Sequence, residues 1–355
     1  MSQDPKAIIG ALLDTVVKEG GSDLHLSVGA NPIIRVSGAL VPLLQHPVLS
    51  AEDTRGILKT LLPEGRWEKF ENEQATDFSY AHTEKARFRV NGYTVQGGVT
   101  LAMRLIPHET HTFANLNLPP ILEVFTQRQQ GFFLVVGPVG QGKSTTLAAM
   151  IDRINETRAE HIVTIEDPVE YIFDAKKSLI HQREVHIDTP SFAAALKSAF
   201  REDVNVIMVG EMRDQETISS AVTAAETGHL VLSTLHTNNA AQTIDRIIDI
   251  FPPNQQGQVR VQLAGSLAGI FSQRLIPRIS GGLIPAYELL INNNAVANLI
   301  REGRTHEITT VIQTSSQEGM IDMDRSLAEL VRRGEVTIEH AYSRALDPKT
   351  FERYL

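Results

Sequence analysis

The chain contains no cysteine. Disulfides, thiolate zinc sites and cysteine nucleophiles are therefore excluded. No apolar run approaches the roughly 20 residues that cross a bilayer. Met1-Ser2-Gln3-Asp4-Pro5 lacks the basic region and apolar core of a secretory signal. Any work at a membrane must then pass through something else that holds the protein there. Excess positive charge is missing too: 33 Lys and Arg against 42 Asp and Glu leave a formal charge of −9. That balance gives no general attraction for phosphate backbones, so no nucleic-acid partner is expected. What is present is a chain of 355 residues, 42% apolar and 21% charged. Such a composition is globular, and the length exceeds one ordinary core, which predicts two domains.

The pattern along the chain changes once. Asp4-Pro5 opens a helix whose apolar pairs Ile8/Ile9, Leu12/Leu13 and Val16/Val17 recur every four residues, and Gly20-Gly21 ends it. Short β-like stretches follow at Asp23–Ser27, Ile33–Val36 and Leu40–Leu43, with Ser37-Gly38 as a turn. Ser50-Ala51-Glu52-Asp53 resembles a capping box for a second helix. Arg87–Val90, Thr94–Gln96 and Thr100–Leu105 read as further strands around a Gly97-Gly98 turn. Strands that follow one another so closely imply an antiparallel sheet, so residues 1–106 read as a small α+β domain. Residues 107–120 hold three prolines and little periodicity and read as a linker. Beyond it, Phe132–Val136, Ile162–Ile165, Val206–Val209 and Leu230–Ser233 are short apolar runs separated by helical stretches. Buried parallel strands with crossover helices have this pattern, which makes 121–355 an α/β domain. From about residue 285 the chain reads as mostly helical.

The chemistry starts at Gly137-Pro138-Val139-Gly140-Gln141-Gly142-Lys143-Ser144, which fits G-x-x-x-x-G-K-[ST]. Glycines let backbone N–H groups turn inward around phosphate oxygens. Lys143 reaches the β- and γ-phosphates, the Ser144 hydroxyl ligates Mg²⁺, and Thr145 follows in the first helical turn. The helix start directs its positive end at the same anion. A chance glycine-rich turn would not have an apolar strand running in and a helix former run, Thr145–Ile154, running out. The implied cofactors are ATP and Mg²⁺.

Hydrolysis needs acids at neighbouring strand ends to hold Mg²⁺ and orient water. Ile162–Ile165 leads into Glu166-Asp167-Pro168-Val169-Glu170, and Val206–Val209 leads into Gly210-Glu211. Acids at the carboxyl ends of parallel strands lie where α/β ligands bind. Glu211 is the expected metal-side acid, while Glu166 and Glu170 compete for the water. His229 and His236 flank the strand Leu230–Ser233 and are candidates to report the γ-phosphate to the rest of the molecule. A His-based metal site is disfavoured, because the strand separates them and no third ligand is evident.

Together, Gly137–Ser144, Thr164–Tyr171, Val209–Asp214 and Thr227–Thr237 resemble the Walker A, Asp, Walker B and His boxes of the type II/IV secretion ATPases. Ser22-Asp23-Leu24-His25-Leu26 fits the same family's N-terminal domain. Ala295-Val296-Ala297-Asn298-Leu299-Ile300-Arg301-Glu302 resembles the C-terminal signature of the family's type IV pilus retraction branch. The assembly and secretion branches usually carry a tetracysteine zinc insert that a cysteine-free chain cannot have. The chain departs from the pattern at Ala297, Val204 and Asn205 and lacks a basic residue in Thr94–Gly98.

The resemblance implies a PAS-like N-terminal domain, a RecA-like P-loop ATPase domain with C-terminal helices, and a homohexameric ring. It implies an ATP-driven retraction motor for twitching motility, cytoplasmic and held at the inner face of the membrane by a pilus platform protein. It also implies arginines that reach a neighbour's nucleotide, at Arg89 and Arg104. Without it both would read as exposed strand residues. Arg274, in Gln273-Arg274-Leu275, falls in a further matching segment. The competing readings are an assembly or secretion motor, a DNA-translocating ATPase and a non-hydrolysing nucleotide-binding scaffold.

Overall fold

A computed structural model describes residues 4–83, 86–106 and 112–355. The chain divides into two compact units, and the division is not a single cut. Asp167–Phe173 and Glu184–Asp188 group with residues 4–106, and the other described residues from 112 onward form the second unit.

The first unit opens with α1 (Pro5–Lys18). Asp4 caps it by accepting the N–H of Lys6, and Pro5 fits its first turn. Its buried stripe is Ile9, Leu12, Leu13 and Val16, the periodic positions. After it come β1 (Asp23–Leu26), β2 (Ile33–Val36), β3 (Ala39–Pro42), α2 (Ala51–Leu61), α3 (Trp67–Glu73), β4 (Ala75–Thr83), β5 (Ala86–Val95) and β6 (Gly98–Ile106). The capping box of α2 forms as the spacing requires: Ser50 Oγ accepts from Asp53 N at 3.2 Å, and Asp53 accepts from Ser50 N at 2.8 Å. The sheet order is β3-β2-β1-β6-β5-β4, with antiparallel neighbours. β4 was not expected, and β5 is one strand where two were read. The β5–β6 turn falls at Gln96-Gly97, with φ of 50° and 81°, one residue before the expected Gly97-Gly98. Two adjacent positive φ values match the right-handed twist of the flanking strands. Of the expected linker, residues 107–111 lie outside the described residues, and 112–120 run mainly as turns.

The second unit contains α4 (Leu122–Thr126), β7 (Gly131–Val136), α5 (Lys143–Thr157), β8 (His161–Glu166), β9 (Leu179–Glu184), α6 (Phe192–Ala199), β10 (Val206–Val209), α7 (Gln215–Glu226), β11 (Leu230–Leu235), α8 (Ala240–Asp249) and α9 (Pro253–Ser266). It continues through β12 (Leu267–Pro277), β13 (Leu283–Ile291), α10 (Asn294–Glu302), α11 (Ile308–Thr314), α12 (Met323–Arg332), α13 (Ile338–Tyr342) and α14 (Pro348–Tyr354). The sheet order is β13-β12-β7-β11-β10-β8-β9. The four expected apolar runs form β7, β11, β10 and β8, which pair in parallel. Every residue of β7, β10 and β11 is buried, which explains their mostly apolar character; the buried hydroxyls of Ser233 and Thr234 in β11 donate to the carbonyls of Val209 and Gly210. The helical reading from 285 fails over Leu283–Ile291, which is β13, antiparallel to β12; helices follow only from Asn294. The molecule is thus α/β, with an α+β unit before the parallel sheet and helices after it. Among the described residues no helix is long and apolar enough to cross a membrane.

Candidate nucleotide site

Parallel pairing brings the carboxyl ends of β7, β11, β10 and β8 to one edge of the sheet, where α/β folds bind ligands. β7 ends at Val136, and the loop Gly137–Gly142 leads into α5. Gly142 is the N-cap of α5 with φ 75°, and Gly140 has φ 76°; both lie in the left-handed region that favours glycine. Lys143 is buried, and its ammonium donates to the carbonyls of Gly137 and Pro138, each at 2.9 Å. Val139 and Ser144 are exposed, and Thr145 is half-buried.

His236 stands one residue beyond β11, next to that loop. Its Nδ1 lies 3.2 Å from the Lys143 ammonium, and its Nε2 lies 3.8 Å from the Glu211 carboxylate. Burial, and next the neighbouring Lys143 charge, push the imidazole pKa below its ordinary value. A neutral ring with its lone pair toward Lys143 and its N–H toward Glu211 suits both neighbours. Glu211 also pairs with Arg213. The strand end that carries Glu211 is anchored on both sides: Gly210 N donates to Ile165 O at 2.8 Å, and Thr234 Oγ1 donates to Gly210 O at 2.6 Å. Glu166 closes the adjacent strand β8. It is buried, and Oε1 accepts from Thr164 Oγ1 at 2.6 Å and Gln182 Nε2 at 3.1 Å.

Other expected site residues are placed elsewhere. His229 sits at the opposite end of β11, which at about 3.3 Å per residue is roughly 20 Å from His236. There its Nδ1 lies 3.0 Å from Ala224 O and its ring packs edge-on against Phe200. Glu170 belongs to the first unit, where its carboxylate lies 3.7 Å from Arg89. Arg89 also makes a two-point contact with Asp77. Asp77 first, then Glu170, favour its charged form against the cost of burial. Arg104 is directly opposite Arg89 in the β5–β6 ladder, and Asp23 is opposite Arg104 in β1. Arg104 Nε donates to Asp23 at 2.9 Å, yet its side chain stays 73% exposed. Burial works to raise the Asp23 pKa, but Ser22 and Arg104 outweigh it and hold the carboxyl below its ordinary value.

A family model for type II/IV secretion system protein matches residues 4–282. The chain belongs to the type II/IV secretion system protein family. It is 44% identical to the type IV pilus retraction ATPase PilT of Pseudomonas aeruginosa, over 97% of this chain and 99% of that one. It is 46% identical to a twitching motility protein of Neisseria gonorrhoeae, over 88% of this chain and 84% of that one. A crystal structure of the pilus retraction motor PilT with bound ADP superposes with a TM-score of 0.89, at 47% identity, covering 97% and 99% of the two chains. This member of the type II/IV secretion system family is a P-loop ATPase.

One contact of the loop Gly137–Gly142 was not anticipated from the sequence. β12 runs beside β7 and carries Gln273, which is buried against the phosphate loop. Sequence reasoning had marked only its neighbour Arg274, whose guanidinium donates to Arg344 O at 2.7 Å. The polar trio Ser272-Gln273-Arg274 between apolar stretches was the available signal.

Proposed function

We propose that this chain is the ATP-hydrolysing motor that retracts type IV pili and so drives twitching motility, working as a homohexamer. The observation that carries the reading is the line Lys143–His236–Glu211 at one end of the parallel sheet, with buried Glu166 on the next strand but one from His236. A cation for the phosphates, with acids at the neighbouring strand ends that can serve metal and water, supports this reading. The loop Gly137–Ser144 would take the phosphates of ATP. Ser144 and Glu211 offer the hard oxygen donors that Mg²⁺ prefers, and the bound ion would neutralise phosphate charge. Glu166 would orient the attacking water. Glu170, held beside Arg89, would act on that arginine rather than on water. Arg89 and Arg104 would act on a neighbour's nucleotide, which makes activity depend on assembly. His236 would sense the γ-phosphate through Lys143 and Glu211; His229, at the far strand end, would act outside this cluster. The setting is cytoplasmic, with contact to the membrane made through a pilus platform protein.

Full-length similarity to retraction ATPases favours this reading over an assembly or secretion motor. A deletion strain tests it. Retained surface pili without twitching is the expected result. Loss of pili altogether would point to an assembly motor, and DNA-stimulated ATPase activity to a translocase.

A further inference from the structure

A side chain on β12 holds the phosphate loop from outside. Gln273 on β12 is 3% exposed. Its Nε2 donates to the carbonyl of Gln141 at 2.7 Å, and its Oε1 accepts from the Thr146 hydroxyl at 2.7 Å. The reversed amide would bring two oxygens together at Gln141, so the orientation is set by its partners. Gln141 returns the contact, its own Oε1 accepting from Leu275 N at 2.8 Å. One amide thus ties the middle of the loop to the first turn of α5, and both to the edge of β12.

The glycines of the loop carry the same imprint. A Cβ on Gly137 would meet the Gln273 carbonyl oxygen at 2.5 Å, and one on Gly142 would meet Gln273 Nε2 at 3.1 Å. A Cβ on Gly140 would meet nothing within 4 Å. Gly137 is therefore required by the approach of the β12 backbone, and Gly140 and Gly142 by their backbone conformation, with Gln273 closing in on Gly142 as well.

We propose that Gln273 is a positioning residue for nucleotide binding: from β12 it holds the loop in the shape that turns its N–H groups toward phosphate. This rests on the reading of Gly137–Ser144 as the nucleotide site. Between β7 and α5 the loop has no strand register of its own, and a loop that samples other shapes binds with an affinity reduced by its competent fraction. Loss of the clamp should then weaken binding of ATP and ADP alike, while a nucleotide once bound is turned over at nearly the native rate.

The test measures equilibrium binding of fluorescent ATP and ADP analogues, steady-state ATPase kinetics and melting temperature on the full-length chain. Gln273→Glu keeps the acceptor for Thr146 but sets an oxygen against the Gln141 carbonyl. Thr146→Val removes only the other half of the clamp and guards against a variant that fails to fold. The expected result for Gln273→Glu is a Kd and KM raised about tenfold with kcat within about threefold. Thr146→Val should raise Kd less, and the double variant should fall short of the product of the two effects, as coupled groups do. Native affinity in both single variants, or a kcat that falls with lowered melting temperature while KM holds, would overturn the proposal. Lys143→Ala separates the failures. If it loses binding while both clamp variants keep it, the site stands and the clamp does not. If it also binds normally, the loop is not the nucleotide site.

Discussion

Replacing Glu288 by glutamine removes a buried charge while keeping the shape of the side chain. Glu288 lies on β13 opposite Ser272 and is 3% exposed. Its Oε1 accepts from the N–H of Ala240, the first residue of α8, at 2.7 Å and from Ser272 Oγ at 3.3 Å. Burial pushes its pKa from 4.5 up to about 7, against those two hydrogen bonds, which favour the anion. A folded-state pKa above the unfolded value gives stability that is fully present below about 4.5 and lost as the pH rises through about 7. The gap is about 2.5 pH units, which at 1.36 kcal/mol each sets a ceiling of roughly 3 kcal/mol. Most of it, roughly 2 kcal/mol or a little more, falls between pH 5 and pH 8. Glutamine stays neutral throughout. The stability advantage of Glu288→Gln over the parent should therefore widen by that amount from pH 5 to pH 8, a rise of several degrees in relative melting temperature. Paired thermal scans of both proteins at four pH values and constant ionic strength, without nucleotide, measure it. A gap that stays constant, or one that shrinks toward pH 8, would refute the argument, because the carboxylate would then ionise in the folded protein without cost.

Three further outcomes are expected. Glu211→Gln and Glu166→Gln should still bind ATP but hydrolyse it on the order of 10²-fold more slowly, whereas Glu170→Gln should lose less than about tenfold; normal turnover in all three would contradict the assignment of the acids. Mixed hexamers of an Arg89→Ala/Arg104→Ala chain with a Lys143→Ala chain should regain turnover that neither has alone, since arginines supplied in trans can contribute roughly 10³-fold or more; demonstrably mixed rings without rescue would count against it. Arg301→Ala, an exposed change on α10, should leave melting temperature and ATPase rate near native yet stop twitching, whereas Leu299→Ala, in the buried stripe, should cost roughly 2–5 kcal/mol and lower both. Normal motility in the Arg301→Ala strain would remove this helix from the force path.

Residues close in sequence told most where they constrain their own backbone. The glycines around Lys143, the Ser50–Asp53 box and the four-residue apolar period of α1 each specify geometry within a turn or two, and each forms as spaced. The same holds for the buried runs Phe132–Val136, Ile162–Ile165, Val206–Val209 and Leu230–Leu232, whose largely apolar character follows from being covered on both faces. β4, β12 and β13 were not legible in this way. β12 carries Ser272, Gln273 and Arg274 at its centre, and β13 carries Glu288, so polar residues interrupt the apolar pattern that would reveal the strands. Ala297 shows the reverse. It departs from the retraction signature, and its burial in α10 beside Val296 and Ile300 makes a small residue suitable there.

The type of chemistry was therefore written locally: a phosphate-binding loop, acids after apolar strands and a histidine beyond another. Which of these groups meet was decided by strand order. Because β11 lies between β7 and β10, His236 stands between Lys143 and Glu211, while His229 is carried to the far end of the same strand. The segment after Glu166 leaves the sheet and groups with the first unit, so Glu170 meets Arg89 although only four positions separate it from Glu166. Gln273 reaches Gln141 and Thr146 across more than a hundred residues. Local spacing sets φ, ψ and caps through bonds only a few residues long. Partners of buried polar groups are chosen by the cost of leaving them unpaired, and that cost exists only once the sheet has closed around them.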